Sequence, residues 1–153
     1  MLTIGKGAGG GSETWEHLVA QFCADKVERA HEHKLSAWSL QDVLDSFNRE
    51  KRVLGPGIER AMTFTYEMDG RYWPVVIGSE TIAECFDKAL HHPLEMARDK
   101  IHFLSGFKNV RKKVVVSGRT SRHPALQSRL EQICNDVGIS TLILTDTFDM
   151  NQE

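Results

Sequence analysis

The chain reads as an α/β protein, and three observations lead there. An apolar run, Val114-Val115-Val116, stops at Gly118 and is followed by Leu126, Leu130, Ile133 and Val137 at helical spacing. Gly138 stops that helix and a second apolar run, 140–145, follows, so the C-terminal third predicts a βαβ unit. Upstream, two β-rich segments, 61–66 and 72–77, flank Met68-Asp69-Gly70-Arg71, where Asp-Gly is a strong hairpin signal.

The remaining elements follow in chain order. A short strand is expected over 2–4, then a glycine-rich loop from Gly5 to Ser12. Ser12 or Thr14 caps a helix to about residue 33, with Trp15, Leu18, Val19, Phe22, Cys23 and Val27 on one face. Ser39 is the expected N-cap of a second helix to about residue 53, ended by Gly55-Pro56-Gly57. Thr81 and Glu84 have capping-box spacing for a third, which Pro93 should kink or restart. Beyond it, Arg111-Lys112-Lys113 forms a basic entry to the 114–116 strand, and residues 148–153 are not expected to carry structure.

Composition sets the outer limits. The 153 residues suit one domain, with 41% hydrophobic and 26% charged residues. No apolar run is long enough to span a bilayer, so no membrane role is expected. A net charge of −2 and scattered basic residues argue against nucleic-acid binding. Cys23, Cys85 and Cys134 lie far apart in apolar patterns, which suggests reduced, buried thiols and a cytoplasmic location. His31-Glu32-His33 and His91-His92 lack ligand spacing, so no metal site is expected. Trp15, Trp38 and Trp73 read as core or interface anchors rather than a binding platform.

The chemistry lies in the glycine turns. A strand that ends in glycine and turns into a helix presents free N–H groups where an anion is favoured. In Ser117-Gly118-Arg119-Thr120-Ser121-Arg122-His123-Pro124, Gly118 permits the turn and Thr120 or Ser121 can cap the helix or donate to a ligand. Pro124 suits the first helical turn, and Arg122 can stack on a base or pair with phosphate.

This segment resembles the adenosine-binding turn in the second lobe of the actin-like ATPase domain of seventy-kilodalton heat-shock proteins, particularly the divergent fungal type. That turn reads as an apolar strand, Gly-Gly, two small hydroxyl residues, Arg, a variable residue and Pro. Arg119 stands at its second glycine. Gly10-Gly11 is similar to the family's glycine pair that approaches the sugar, and Lys51 with Arg52 to the helix end that contacts the adenosine. The stretch 86–101 resembles the helix pair leading back into the sheet, and the likeness covers about residues 5–139.

The resemblance implies a ribonuclease H-like half domain over 1–150, a mixed sheet packed with helices plus a small α+β subdomain. Residues 1–22 and 101–147 would carry the sheet and 23–100 the small subdomain. It implies an adenine nucleotide, ATP or ADP, held by Gly10, Gly11, Lys51, Arg52, Gly118, Arg119, Thr120, Arg122 and His123. Asn48 takes the place of a glutamate near the adenosine, and the closing acidic-alanine segment is not recognisable after Thr145. The family's first phosphate loops lie upstream of Met1, so hydrolysis by this chain alone is not expected, and no catalytic residue is assigned. Two other expectations stand beside this one. The lobe has been recruited as a metabolic enzyme or carrier of a small anionic ligand, monomeric or a homo-oligomer, using Arg119, Arg122, His123, His91 or His92. Alternatively it is an interaction module paired with a complementary lobe.

Overall fold

A computed structural model describes residues 9–32, 34–139 and 142–145, without the side chains of Trp38, Arg119 and 142–145. The strand expected over 2–4 and the tail after 148 lie outside the described residues. The fold is mixed α/β and mainly helical. By compactness the chain divides into a unit formed by Gly10–His91 and a second formed by Gly9 and the described residues from His92 onward.

The first unit begins with helix α1, Ser12–His31. Neither Ser12 nor Thr14 caps it. Gly11 holds the N-cap position without a side-chain bond, and Glu32 closes the other end in the left-handed conformation. Helix α1 also runs unbroken past residue 22, so the expected subdomain division falls inside it.

Helix α2 covers Ala37–Glu50, followed by a 3-10 turn, Lys51–Val53. Its N-cap is Ser36, whose Oγ accepts from the Ser39 N–H at 3.2 Å, rather than Ser39 itself. Ser36 and Ser39 are three residues apart, the spacing at which a capping hydroxyl reaches the first free N–H groups.

Strands β1, Met62–Met68, and β2, Arg71–Ile77, form an antiparallel hairpin in the register Met62↔Ile77 to Met68↔Arg71. Alternation along β1 buries Met62, Phe64 and Tyr66 and exposes Thr63, Thr65 and Glu67. The two turn residues, Asp69 and Gly70, both have positive φ, 53° and 71°, as a two-residue hairpin with right-handed strand twist requires. Gly70→Val places a β-branched side chain in that conformation, and urea denaturation should show a loss of about 1–2 kcal/mol.

Helix α3 runs through Ser79–Ser105 and contributes to both units. Its first bond, Ile82 N–H to the Gly78 carbonyl, puts the start at Gly78, so Thr81 lies within the first turn and is not the cap. Pro93 does not restart it. Proline lacks the N–H that would bond the carbonyl four residues earlier, which here is Ala89. That carbonyl is instead bonded at 3.0 Å by the N–H of Gly11, so the carbonyl stripped by the proline is satisfied from outside the helix.

Trp15 organises the interior of this unit. Its ring meets Phe47 of α2 and Phe86 of α3 edge-on at 4.9 and 5.0 Å, and its Nε1 donates to the Ile82 carbonyl at 3.1 Å. Val19, Cys23, Val43, Leu54, Ile77 and Ile82 are fully buried in the same unit.

The second unit contains the expected βαβ arrangement. Strands β3, Val114–Ser117, and β4, Leu142–Thr145, are parallel, with helix α4, Pro124–Asp136, between them in sequence. Ile101, Ile133, Cys134 and Ile139 form its core, with Leu94, Val114 and Val137 packed on them. Gly138, at φ 73°, ends α4 as expected, and the Ile139 N–H returns to the Cys134 carbonyl at 2.8 Å. Among the described residues the strands form two separate two-stranded sheets, where one mixed sheet was expected.

Candidate functional site

The sequence-predicted residues fall into two sets, one in each unit. Gly10, Gly11, Lys51 and Arg52 belong to Gly10–His91, while Gly118, Arg119, Thr120, Arg122 and His123 belong to the other unit.

In the first set, Gly10 and Gly11 have φ of 120° and 109°, a region that strongly favours glycine. A Cβ on Gly11 would meet no atom within 4 Å, so its requirement is conformational and the space beside it is open. The turn delivers the start of α1 with the N–H groups of Ser12, Glu13 and Thr14 bearing no side-chain cap. Beside that helix end sits Lys51. Its Nζ donates to Ser12 Oγ at 2.8 Å and to Glu16 Oε1 at 2.6 Å, and the Ser12 hydroxyl donates in turn to Glu16. Both charged side chains are largely covered, with 15% and 18% of their surfaces exposed.

A cleft of about 500 Å³ adjoins this group. It is lined by Ser12, Glu13, Glu16 and His17 from α1 and by Gln41, Leu44, Asp45 and Asn48 from α2. The lining is mostly polar, with donors and acceptors on both walls. Three of the four predicted residues thus converge, since Gly10, Gly11 and Lys51 meet at one helix end. Arg52 is exposed on the same turn and joins none of these contacts.

Glu16 was missed by sequence reasoning, and Ser12 was read only as a helix cap. The only local signal was a Ser and a Glu four residues apart directly after a glycine pair, the spacing at which side chains on a helix face each other.

The second set has a different character. Gly118, at φ 100°, turns β3 into a 3-10 turn, Arg119–Arg122. Its carbonyl accepts from both the N–H and the hydroxyl of Ser121, which is buried. The N–H of His123 donates to the Thr120 carbonyl at 3.0 Å. His123, 5% exposed, is the N-cap of α4, with Nδ1 accepting from the Ala125 N–H at 3.2 Å. Capping of α4 therefore belongs to His123 and not to Thr120 or Ser121. That bond requires Nδ1 to carry no proton.

Pro124, in the first turn of α4 as the sequence predicted, has no N–H, and Ala125 is already bonded. Two of the donors that would make this helix end an anion site are therefore absent or occupied. Arg122 is exposed, and the Arg119 side chain lies outside the description. A Cβ on Gly118 would meet nothing within 4 Å, so the approach to the turn is open although its own groups are largely satisfied internally.

No group of three or more His, Cys, Asp or Glu among the described residues could hold a metal ion. His31 instead packs its ring against Trp73 at 4.9 Å and Tyr66 at 6.0 Å, and His91 and His92 are exposed. His33 lies outside the described residues. No described helix is long and apolar enough to cross a membrane. No protein-family model matches the chain, and no curated protein matches it.

Proposed function

We propose that the cleft between α1 and α2 is the adenosine side of an adenine-nucleotide site, in a lobe of the actin-like, heat-shock ATPase type. The observation that carries this reading is the convergence of the Gly10-Gly11 turn with Lys51, some forty residues away in sequence, on the uncapped start of α1.

The chemistry of the group narrows the expected contact. Lys51 is neutralised by Glu16 at 2.6 Å, so the pair offers a donor and an acceptor side by side rather than a free positive charge. Sugar hydroxyls need both, because each donates one hydrogen bond and accepts others. Phosphate needs only donors and charge. The cleft therefore suits the ribose and base better than the phosphates, and the proposal concerns binding, not turnover.

Titration calorimetry with adenosine, ADP and ATP tests it. The three ligands should bind with affinities within about tenfold of one another. Lys51→Ala should weaken each by about tenfold or more, the equivalent of about 1.4 kcal/mol, with the thermal transition checked in parallel. Absence of binding at millimolar ligand, or unchanged affinity in a folded Lys51→Ala protein, overturns the reading.

A further inference from the structure

The second unit carries an apolar groove that the nucleotide reading does not use. It lies where α3 ends and β3 begins, has a volume of about 430 Å³, and is walled by Phe103, Leu104, Phe107 and Val110 with Val114 and Ile139. Val114 and Ile139 also belong to the core of this unit, so the groove wall is continuous with packed interior. Phe103 and Val110 are 60% and 61% exposed, and Phe107 meets Phe103 edge-on at 5.4 Å. Large side chains left this open in one cluster mark a binding surface more often than isolated exposed apolar residues do.

The charge at its rim has one sign. Arg111, Lys112 and Lys113 line the groove and no acidic residue does. Lys112 is committed to the fold, since its Nζ donates to the Ser105 carbonyl at the end of α3 at 2.9 Å, where a cation is favoured. The neighbouring carbonyls of His102, Phe103 and Leu104 are bonded by Ser105 Oγ, Gly106 N–H and Phe107 N–H. Neither Arg111 nor Lys113 has an acidic partner among the described residues. Two cations thus stand over an apolar trough of the size that ligand pockets have.

We propose that this groove binds a free anionic amphiphile, an acyl carboxylate of medium chain length, with its tail along Phe103, Phe107 and Ile139 and its head at Arg111 and Lys113. An apolar tail alone would leave the two cations without a role, and an anion alone would leave the aromatic wall wet. A carboxylate with an apolar chain satisfies both, because it replaces water on the wall while keeping its charge at the open rim.

Calorimetry with dodecanoate and with dodecyltrimethylammonium, both below their micelle-forming concentrations, is the test. The unaltered protein should bind dodecanoate at least tenfold more tightly than the cationic chain. Arg111→Glu with Lys113→Glu should invert that preference in favour of the cationic chain, which a loss of folding would not do. Phe107→Asp, at a half-exposed position, should weaken both ligands by tenfold or more with an unchanged thermal transition. Equal affinity for the two head groups, no binding of dodecanoate, or indifference to these substitutions overturns the proposal. So does light scattering that shows a dimer dissolved by Phe107→Asp but not by dodecanoate, since a second copy would then occupy the groove. Adenosine should not compete with dodecanoate, so failure here and failure of the nucleotide reading are separable.

Discussion

Replacing Trp15 with alanine is expected to destabilise the Gly10–His91 unit by about 3–5 kcal/mol, the range for removing a buried aromatic side chain. Trp15 is 1% exposed and is the residue at which three helices meet, through Phe47, Phe86 and the Ile82 carbonyl. The substitution removes an indole from a close-packed site, and neither aromatic neighbour can fill the void without leaving its own packing. A loss of this size is a large part of the 5–15 kcal/mol that stabilises a typical domain. Urea denaturation followed by circular dichroism should show the midpoint falling sharply. Trp15→Phe should recover most of the difference, leaving the missing hydrogen bond and the smaller ring, together about 1–2 kcal/mol. A loss under 1 kcal/mol for the alanine variant would show that Trp15 does not anchor these helices.

The consequence reaches the candidate site, because Trp15 lies one helical turn beyond Gly11 and its own N–H bonds the Gly11 carbonyl at 3.0 Å. On the other side the Gly11 N–H is held by the Ala89 carbonyl that Pro93 leaves unbonded. The glycine turn is therefore pinned from both sides, by packing through Trp15 and by a hydrogen bond made available by a proline. An open, positive-φ turn needs such anchors to present its N–H groups in one direction.

What could be read from the sequence follows from the range of each interaction. The β3–α4–β4 unit and the hairpin were legible because apolar periodicity, Gly138 and Asp69-Gly70 are local signals. Helix starts were less so. Ser36 and Ser39 both satisfy the rule for a cap, and Thr81 with Glu84 matches a capping box that the helix beginning at Gly78 overruns. Pro93 was read by its local rule, whereas the Gly11 N–H, more than seventy residues away in sequence, supplies the missing bond. In the candidate site, Lys51 was singled out only through the family resemblance, and its partner Glu16 was not singled out at all, since a pair 35 residues apart leaves no periodic trace. Arg111-Lys112-Lys113 read as a solvated strand entry because nothing in the chain order reveals that Phe103 and Phe107 wall the same groove.

The buried thiols give the second large effect, a loss of stability in alkali. Cys23 is fully buried, and that burial pushes its pKa up to about 11 although the charge of Lys26 acts in the opposite direction. Cys85 is raised too, first by burial and further by Glu84, with Lys88 opposing, and burial raises Tyr66 in the same unit. A thiol is neutral when protonated, so the folded state holds these protons more tightly than the unfolded chain, where cysteine titrates at about 9.0. Between those values the folded protein binds more protons, and stability must fall as pH rises. Cys23 alone should account for about 2–3 kcal/mol, present in full below about pH 9 and lost by about pH 11. Urea denaturation at pH 7.5 and pH 10.5 measures this. Cys23→Ala should be less stable at the lower pH, because a buried sulfur is lost, yet show a shallower decline between the two. The native thiols should also resist alkylation at pH 8 until urea opens the fold, since the neutral, buried sulfur is a poor nucleophile. If Cys23→Ala declines as steeply as the unaltered chain, the alkaline loss arises from groups other than this thiol.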